Sequence, residues 1–311
     1  MRLATVRHAA GTRVVVDAGD NEMAALPSEI VDVGSLLGLL DEQREELVRN
    51  ALAAGDRYAA ADLGWLPPVL RPGKVLCVAL NHSSNPDRIM SGPSTPAMFI
   101  KPSSALVGHG HAIRLRPDDG RVHPEPELAV IIGRRAADVR ADHAMQYVFG
   151  YSILNDITAP DLRAADTFHY RAVHPQPGTA HGVRHVESWV SYSARYKGAD
   201  TFAPLGPWVV TRDDIPDPHA LRVTCAVDGE IVTDDTTAHL RFSVAEVISF
   251  ASHYLTLEPG DVIGMGTALA PAPSGQAVQN ADLNHSGARV EISIAGIGTL
   301  TNTVEQLAAQ R

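Results

Sequence analysis

The sequence predicts an α+β fold that is mostly β, with a small N-terminal unit ahead of a larger β-rich body. Three observations predict it. Short apolar or alternating runs bounded by Gly and Pro recur along the chain, few stretches have helical spacing, and Pro67-Pro68 and Pro72-Gly73 punctuate the chain before a fresh strand begins.

Residues 1 to about 25 carry β-rich runs such as Thr12-Arg13-Val14-Val15-Val16, and Ser35 to Ala54 shows leucines and acidic residues at helical spacing. This predicts a small β-plus-helix unit over residues 1–71. Lys74 to Leu80 then opens a buried strand and the larger body, residues 72–311. Residues 82–95, with Pro86, Gly92, Pro93 and several serines, form a polar, breaker-rich stretch suited to a lid. Strands are expected at 127–133, 149–155, 206–211, 221–227, 262–266 and 289–294, and a helix from Ser243 to Tyr254. In the last strand Val290, Ile292 and Ile294 alternate with Glu291 and Ser293, the pattern of a half-buried strand. The body should therefore be a rolled or barrel-like β structure, with no repeat of fixed period and no low-complexity tract.

The chain has 311 residues and 45% apolar content, enough for a sizeable core. Lys and Arg total 26 against 36 for Asp and Glu, a net charge of −10, and no basic stripe with interleaved aromatics appears, which argues against nucleic acid. Cys77 and Cys225 are far apart in apolar runs and read as buried free thiols of a reducing compartment. The first residues lack the apolar stretch of a signal peptide, and no run of about 18 apolar residues exists to span a bilayer. A cytoplasmic protein without a membrane partner is the expectation.

Glu125-Pro126-Glu127 opens an apolar strand, and Asn155-Asp156 ends another. Residues i and i+2 of a strand share a face, roughly 6.5 Å apart, so Glu125 and Glu127 can converge on one point. With Asp156 they make an oxygen-only set suited to Mg²⁺, Mn²⁺ or Ca²⁺ rather than zinc. The competing reading is a solvated strand edge, which Pro126 would suit. His109 and His111 would share a strand face, but a zinc site needs three or four convergent ligands.

Several segments in order resemble the fumarylacetoacetate hydrolase family: Lys74-Val75-Leu76-Cys77-Val78 with Asn81, Phe99-Ile100-Lys101-Pro102, Glu125-Pro126-Glu127-Leu128, Gly150-Tyr151 through Asn155-Asp156, Lys197 to Pro207, and Pro259-Gly260-Asp261-Val262-Ile263. The resemblance covers about residues 72–305, and the preceding seventy residues look like the small N-terminal domain of many bacterial members. It implies a mixed β-sandwich roll, a homodimer, and Mg²⁺ or Mn²⁺ held by Glu125, Glu127 and Asp156 against a 2-oxo acid or 1,3-diketone substrate. Lys197 falls on the family's catalytic lysine and Thr267 on its substrate-contacting threonine. His123, two residues before Glu125, is expected to stand behind the metal ligands.

The departures are specific. Family hydrolases carry a histidine and a glutamate four and seven residues after the asparagine that matches Asn81, where this chain has Asn85 and Arg88. Neither an amide nor a guanidinium acts as a general base at neutral pH. His82 and Asp87 are the candidate substitutes, and Arg88 has the planar fork to hold a substrate carboxylate. A family arginine is replaced by Pro160 and a family glutamine by Thr233. Between Asp156 and Lys197 lies a long stretch with His169, His174, His181 and His185, read either as a pocket wall or as a surface excursion. The leading expectation is metal-dependent hydrolysis of a C–C bond in an acylpyruvate-like substrate. The alternative is a decarboxylase or keto-enol isomerase, which needs no activated water, and a third reading is a keto-acid-binding protein without turnover.

Overall fold

The computed structural model describes residues 1–9, 11–83 and 88–308. Among these, the strands form one twelve-stranded sheet, one five-stranded sheet and a two-stranded hairpin.

The large sheet is built on a central set of apolar segments. Pro126–Ile132 and Val148–Asn155 are buried at every position, as is Ala203–Thr211. Such continuous runs fit a sheet covered on both faces. Alternate residues indeed enter different cores: Leu128, Val130 and Ile132 join one cluster, Ala129 and Ile131 the other. The first cluster lies between the large sheet and the five-stranded sheet, which contributes Val223, Cys225, Val290, Ile292, Ile294 and Leu300. The second takes Val33, Leu36, Val48 and Ala51 from the helices Val33–Leu36 and Asp41–Ala54. A β-sandwich with helices on its outer face follows from this alternation.

The expected strands are present, 289–294 with the same bounds and the others shifted by one to three residues at one or both ends, as is the helix Val244–Tyr254 with Ser243 as its N-cap. The first seventy residues hold the strands Arg2–His8, Gly11–Gly19 and Glu22–Ala25. Their sheet is continuous with that of the body, because Leu3 pairs with Val209. The stretch between Asp156 and Lys197 is a helix, Pro160–Ala165, then a hairpin, Thr167–Pro175 with Val183–Ser191. Its four histidines, 169, 174, 181 and 185, are exposed, as the surface-excursion reading predicts. Cys77 and Cys225 are buried free thiols. Among the described residues no helix is long and apolar enough to cross a membrane.

Candidate active site

Three neighbouring strands of the large sheet bring the carboxylates together. Pro126–Ile132 runs antiparallel to Val148–Asn155 on one side and to Val262–Thr267 on the other. Just before the first of these strands, the Glu125 N–H donates to Asn155 Oδ1 at 2.9 Å and the Asp156 N–H donates to the Glu125 carbonyl at 2.9 Å. The Asn155 amide thus locks the backbone of one acidic residue beside the next. That is the physical reason for the Asn-Asp pair at this strand end.

The third strand contributes a bulge. Glu127 pairs with Thr267 and Ala129 with Gly264, so the strand carries an extra residue over this interval. Gly266 sits there at φ +99°, and a Cβ on it would stand 2.8 Å from the Asn81 Cβ. The Gly264-Met265-Gly266-Thr267 run is therefore a bulge that turns Thr267 toward the acids. The Thr267 hydroxyl donates to Glu125 Oε2 at 3.0 Å and approaches Glu127 Oε1 at 3.4 Å.

Lys197 arrives on the short helix Ala194–Gly198. Its ammonium donates to Glu125 Oε2 at 2.8 Å and to Asp156 Oδ2 at 2.6 Å, and lies 5.1 Å from the centre of the Phe99 ring. Burial alone would lower its pKa, but Asp156 and Glu125 outweigh burial and raise it, so the amine stays charged. Lys101, with no exposed surface, donates to the other Asp156 oxygen and, at 3.2 Å, to the Ile157 carbonyl. The Phe-Ile-Lys-Pro motif was part of the resemblance, yet nothing in its spacing assigns Lys101 to the acids. Its strand, Ala97–Lys101, delivers it there.

The electrostatics are lopsided. Burial would raise the Glu125 pKa, but the Lys197 charge and hydrogen bonds from Lys197 and Thr267 hold it down at about 2. Glu127 goes the other way: burial, then Asp156 and Glu125, push it well above the usual carboxylate range. Its Oε2 is buried with no hydrogen-bond partner among the described residues. Gly264 keeps this atom in place, since a Cβ there would stand 2.4 Å from Glu127 Oε2. Three carboxylates thus face two ammonium groups, and the oxygen left over is on Glu127.

This donor set fits a hard dication. Glu125, Glu127 and Asp156 supply oxygens only, one of them unsatisfied, and a double positive charge offsets the repulsion that raises Glu127. The Cys77 Sγ and potential ligand oxygens of Glu127 and Asp156 all lie within 4.8 Å of one another, whereas Glu125 is tied to these two acids through Lys197 and Thr267. Burial, then Asp156 and Glu127, push the Cys77 pKa up, so it stays a neutral thiol. His123 is buried with Nδ1 3.9 Å from Glu125 Oε1, and burial lowers its pKa.

The other candidates lie elsewhere. His82 is buried and hydrogen-bonds Asp235 at 2.7 Å; it lines a narrow cleft with Thr267 but makes no described bond to the three acids. Arg88 is exposed, and no described ion pair joins it to them. Asn85 and Asp87 lie outside the described residues. Pro160 begins the helix Pro160–Ala165, and Thr233 is buried on the strand Glu230–Thr236. His109 accepts the Thr301 N–H at 3.0 Å and belongs to no metal-like cluster among the described residues.

Comparison with known proteins agrees with this arrangement. Residues 74–305 match the model of the fumarylacetoacetate (FAA) hydrolase C-terminal domain. The chain is 33% identical over 264 residues to the mitochondrial oxaloacetate tautomerase Fahd2a of Rattus norvegicus, covering 82% of this chain and 76% of the relative. Among solved structures, a 5-carboxymethyl-2-hydroxymuconate delta-isomerase from Mycobacterium smegmatis is 29% identical with a TM-score of 0.71, covering 99% of this chain and 100% of the other. A maleylpyruvate hydrolase from Sphingobium sp. SYK-6, in complex with manganese(II) and pyruvate, is 25% identical with a TM-score of 0.72 over 100% of both chains. The sheet order, the converging acids and a family match spanning three quarters of the sequence agree: this chain belongs to the fumarylacetoacetate hydrolase family.

Proposed function

We propose that this chain is a divalent-cation-dependent enzyme that forms an enolate from a 2-oxo acid or 1,3-diketo acid, with keto-enol isomerisation as its reaction. The observation that carries it is the pairing of Lys197 with Glu125 and Asp156 beside the unsatisfied oxygen of Glu127.

Glu125, Glu127 and Asp156 would hold Mg²⁺ or Mn²⁺. When bound, such an ion supplies Lewis-acid stabilisation of the negative oxygen that develops as an enolate forms. Lys197, kept charged between Glu125 and Asp156, would present its ammonium to the substrate's carboxylate or developing oxyanion. Lys101 stays behind Asp156 and keeps that carboxylate oriented. Thr267 holds Glu125 and offers its hydroxyl toward the same space.

The expectation from sequence ranks hydrolysis first; three points reverse the order here. Isomerisation needs a proton moved at carbon but no activated water. The chain has Asn85 and Arg88 where family hydrolases carry a histidine and a glutamate, and neither an amide nor a guanidinium acts as a general base at neutral pH. A tautomerase relative matches over most of the chain. Hydrolytic C–C cleavage is the second reading, supported by the likeness to a maleylpyruvate hydrolase.

The test is to incubate the protein and Mn²⁺ or Mg²⁺ with oxaloacetate, acylpyruvates and related diketo acids. Enol absorbance and product mass are followed together. Cation-dependent keto-enol interconversion at constant mass is expected. Gain of one water with chain cleavage supports the hydrolase reading, loss of CO₂ indicates decarboxylation, and no change in any substrate overturns the proposal.

A further inference from the structure

A second cluster of donor atoms lies outside the carboxylate site. The Asp235 carboxylate is fully buried at the end of the strand Glu230–Thr236. His82 Nε2 stands 2.7 Å from its Oδ2, and His239 Nδ1 stands 2.6 Å from its Oδ1. The two imidazole rings meet edge-on, their centres 5.5 Å apart. The three potential ligand atoms all lie within 4.8 Å of one another.

The carboxylate is firmly placed by the backbone. Oδ2 accepts the N–H groups of Leu269 at 2.7 Å and Ala270 at 2.8 Å, and Oδ1 accepts that of Thr236 at 2.7 Å. Burial would raise the Asp235 pKa, but these bonds and the two imidazoles hold it well below the usual range. A carboxylate offers about four lone-pair positions. Three are taken by backbone N–H groups, and the fourth, on Oδ1, faces His239 Nδ1, so a cation here would replace the imidazole–carboxylate contact.

Two imidazole nitrogens and one fixed carboxylate oxygen are the ligand types of zinc and its transition-metal neighbours. This sets the cluster apart from the oxygen-only acids of the active site. Access is available on one side, since the His239 side chain is 39% exposed while His82 and Asp235 are buried. The ligands also come from two distant segments. His82 follows the strand Val75–Ala79, and His239 ends the turn Thr237–His239. Ser83 already ties them, its N–H and hydroxyl donating to the His239 carbonyl at 2.7 and 2.9 Å.

We propose that His82, Asp235 and His239 form a Zn²⁺-class site, separate from the carboxylate site, that fastens the segment after Val75–Ala79 to the Thr237–His239 turn. His82 lines the same narrow cleft as Thr267, so the site clamps a wall next to the active site. The ion would take the two imidazole lone pairs and the Asp235 Oδ1 position that now faces His239, with water completing four-coordination. The ligand nitrogens shed their hydrogens to the other ring nitrogen, as metal-ligating imidazoles do.

The test uses the full-length chain freed of metal with a chelator, then titrated with Zn²⁺ against a chromophoric competitor. Co²⁺ is added separately for its visible absorption, and thermal unfolding is followed with and without Zn²⁺. Three proteins are compared: wild type, His239→Ala at the exposed ligand, and Asp156→Ala in the carboxylate site. Wild type and Asp156→Ala should each bind one Zn²⁺ tightly at this cluster, counted apart from any held by the carboxylate site, and gain thermal stability from it. His239→Ala should bind it at least about 100-fold more weakly and gain none. Equal Zn²⁺ affinity in wild type and His239→Ala overturns the proposal, as does loss of tight binding in Asp156→Ala alone. Wild type that binds no Zn²⁺ leaves the cluster as a hydrogen-bonded brace and also overturns it.

Discussion

Lys101 and Asp156 form an ion pair with almost no exposed surface: the lysine is 0% and the aspartate 1% exposed. Removing one member of such a pair strands a charge in a medium that cannot solvate it. Lys101→Ala should therefore destabilise the protein by about 3–5 kcal/mol. Lys101→Met with Asp156→Asn should cost less than the sum of the single changes. Urea unfolding of wild type, Lys101→Met, Asp156→Asn and the double variant checks this. Additive losses would show that the pair is not coupled.

Lys197 shares Asp156 but differs in exposure, at 12%, and in having a second acid, Glu125. As the group proposed to meet the developing oxyanion, it should matter to rate rather than to cation binding. Lys197→Ala is expected to lower kcat roughly 10²- to 10³-fold. Mn²⁺ affinity should hold or rise, because a competitor for the carboxylates has gone. Isothermal titration and steady-state kinetics on one preparation separate these effects. An equal loss of both would assign Lys197 a structural role.

Asp156→Ala addresses the acids directly. It should abolish Mn²⁺ or Mg²⁺ binding and activity while leaving the far-ultraviolet circular dichroism unchanged. Unaltered cation affinity would remove Asp156 from the ligand set.

How much of this was legible in sequence depends on how local each signal is. The E-x-E spacing is readable because strand periodicity places i and i+2 together, whereas Asn155-Asp156 stood out only as an acid beside an amide at the end of an apolar run, since the Asn155–Glu125 bond joins residues 30 apart. The apolar runs themselves announced buried strands, which is a local signal too. Lys101 was not assigned to the acids, since its approach depends on the pairing of Val75–Ala79 with Ala97–Lys101, which no local pattern reveals. Asp235 and His239 were missed likewise: no local pattern singles them out, and only the tertiary fold brings His82 to them. The long interval before Lys197 was legible as an excursion, but its hairpin was not. Both its faces are largely exposed, so its sequence lacks a clean apolar alternation.

The helix Val244–Tyr254 offers a stability test away from the site. Ser243 Oγ accepts the Glu246 N–H, while Glu246 Oε2 accepts the Ser243 N–H at 2.7 Å and its hydroxyl at 2.8 Å, a reciprocal capping box. Ser243→Ala should cost about 1 kcal/mol. These bonds, first the backbone one, lower the Glu246 pKa below its ordinary 4.5. A depressed carboxylate pKa contributes stability above its unfolded value and loses it as pH falls through the folded one. The stability gap between wild type and Glu246→Gln should therefore shrink as pH drops below about 4.5. Unfolding midpoints from neutral pH to pH 3 or so check the sign, and a gap that widens on acidification would refute the assignment.

Gly264 gives the most local test of how the fold holds the acids. A Cβ at this position would stand 2.4 Å from Glu127 Oε2, 2.7 Å from Leu154 Cδ2 and 3.3 Å from Cys77 Sγ. Real Cβ contacts do not approach the first two, so Gly264→Ala must shift Glu127, Leu154 or both. Overpacking of this kind costs about 1–3 kcal/mol. Leu154 belongs to the core, whereas Glu127 Oε2 has no hydrogen bond to lose, so the glutamate is the side chain that yields. Mn²⁺ affinity should then fall by more than the stability loss accounts for, with the fold retained in circular dichroism. A stability loss with unchanged Mn²⁺ affinity would mean that Leu154 gave way and that Glu127 kept its place.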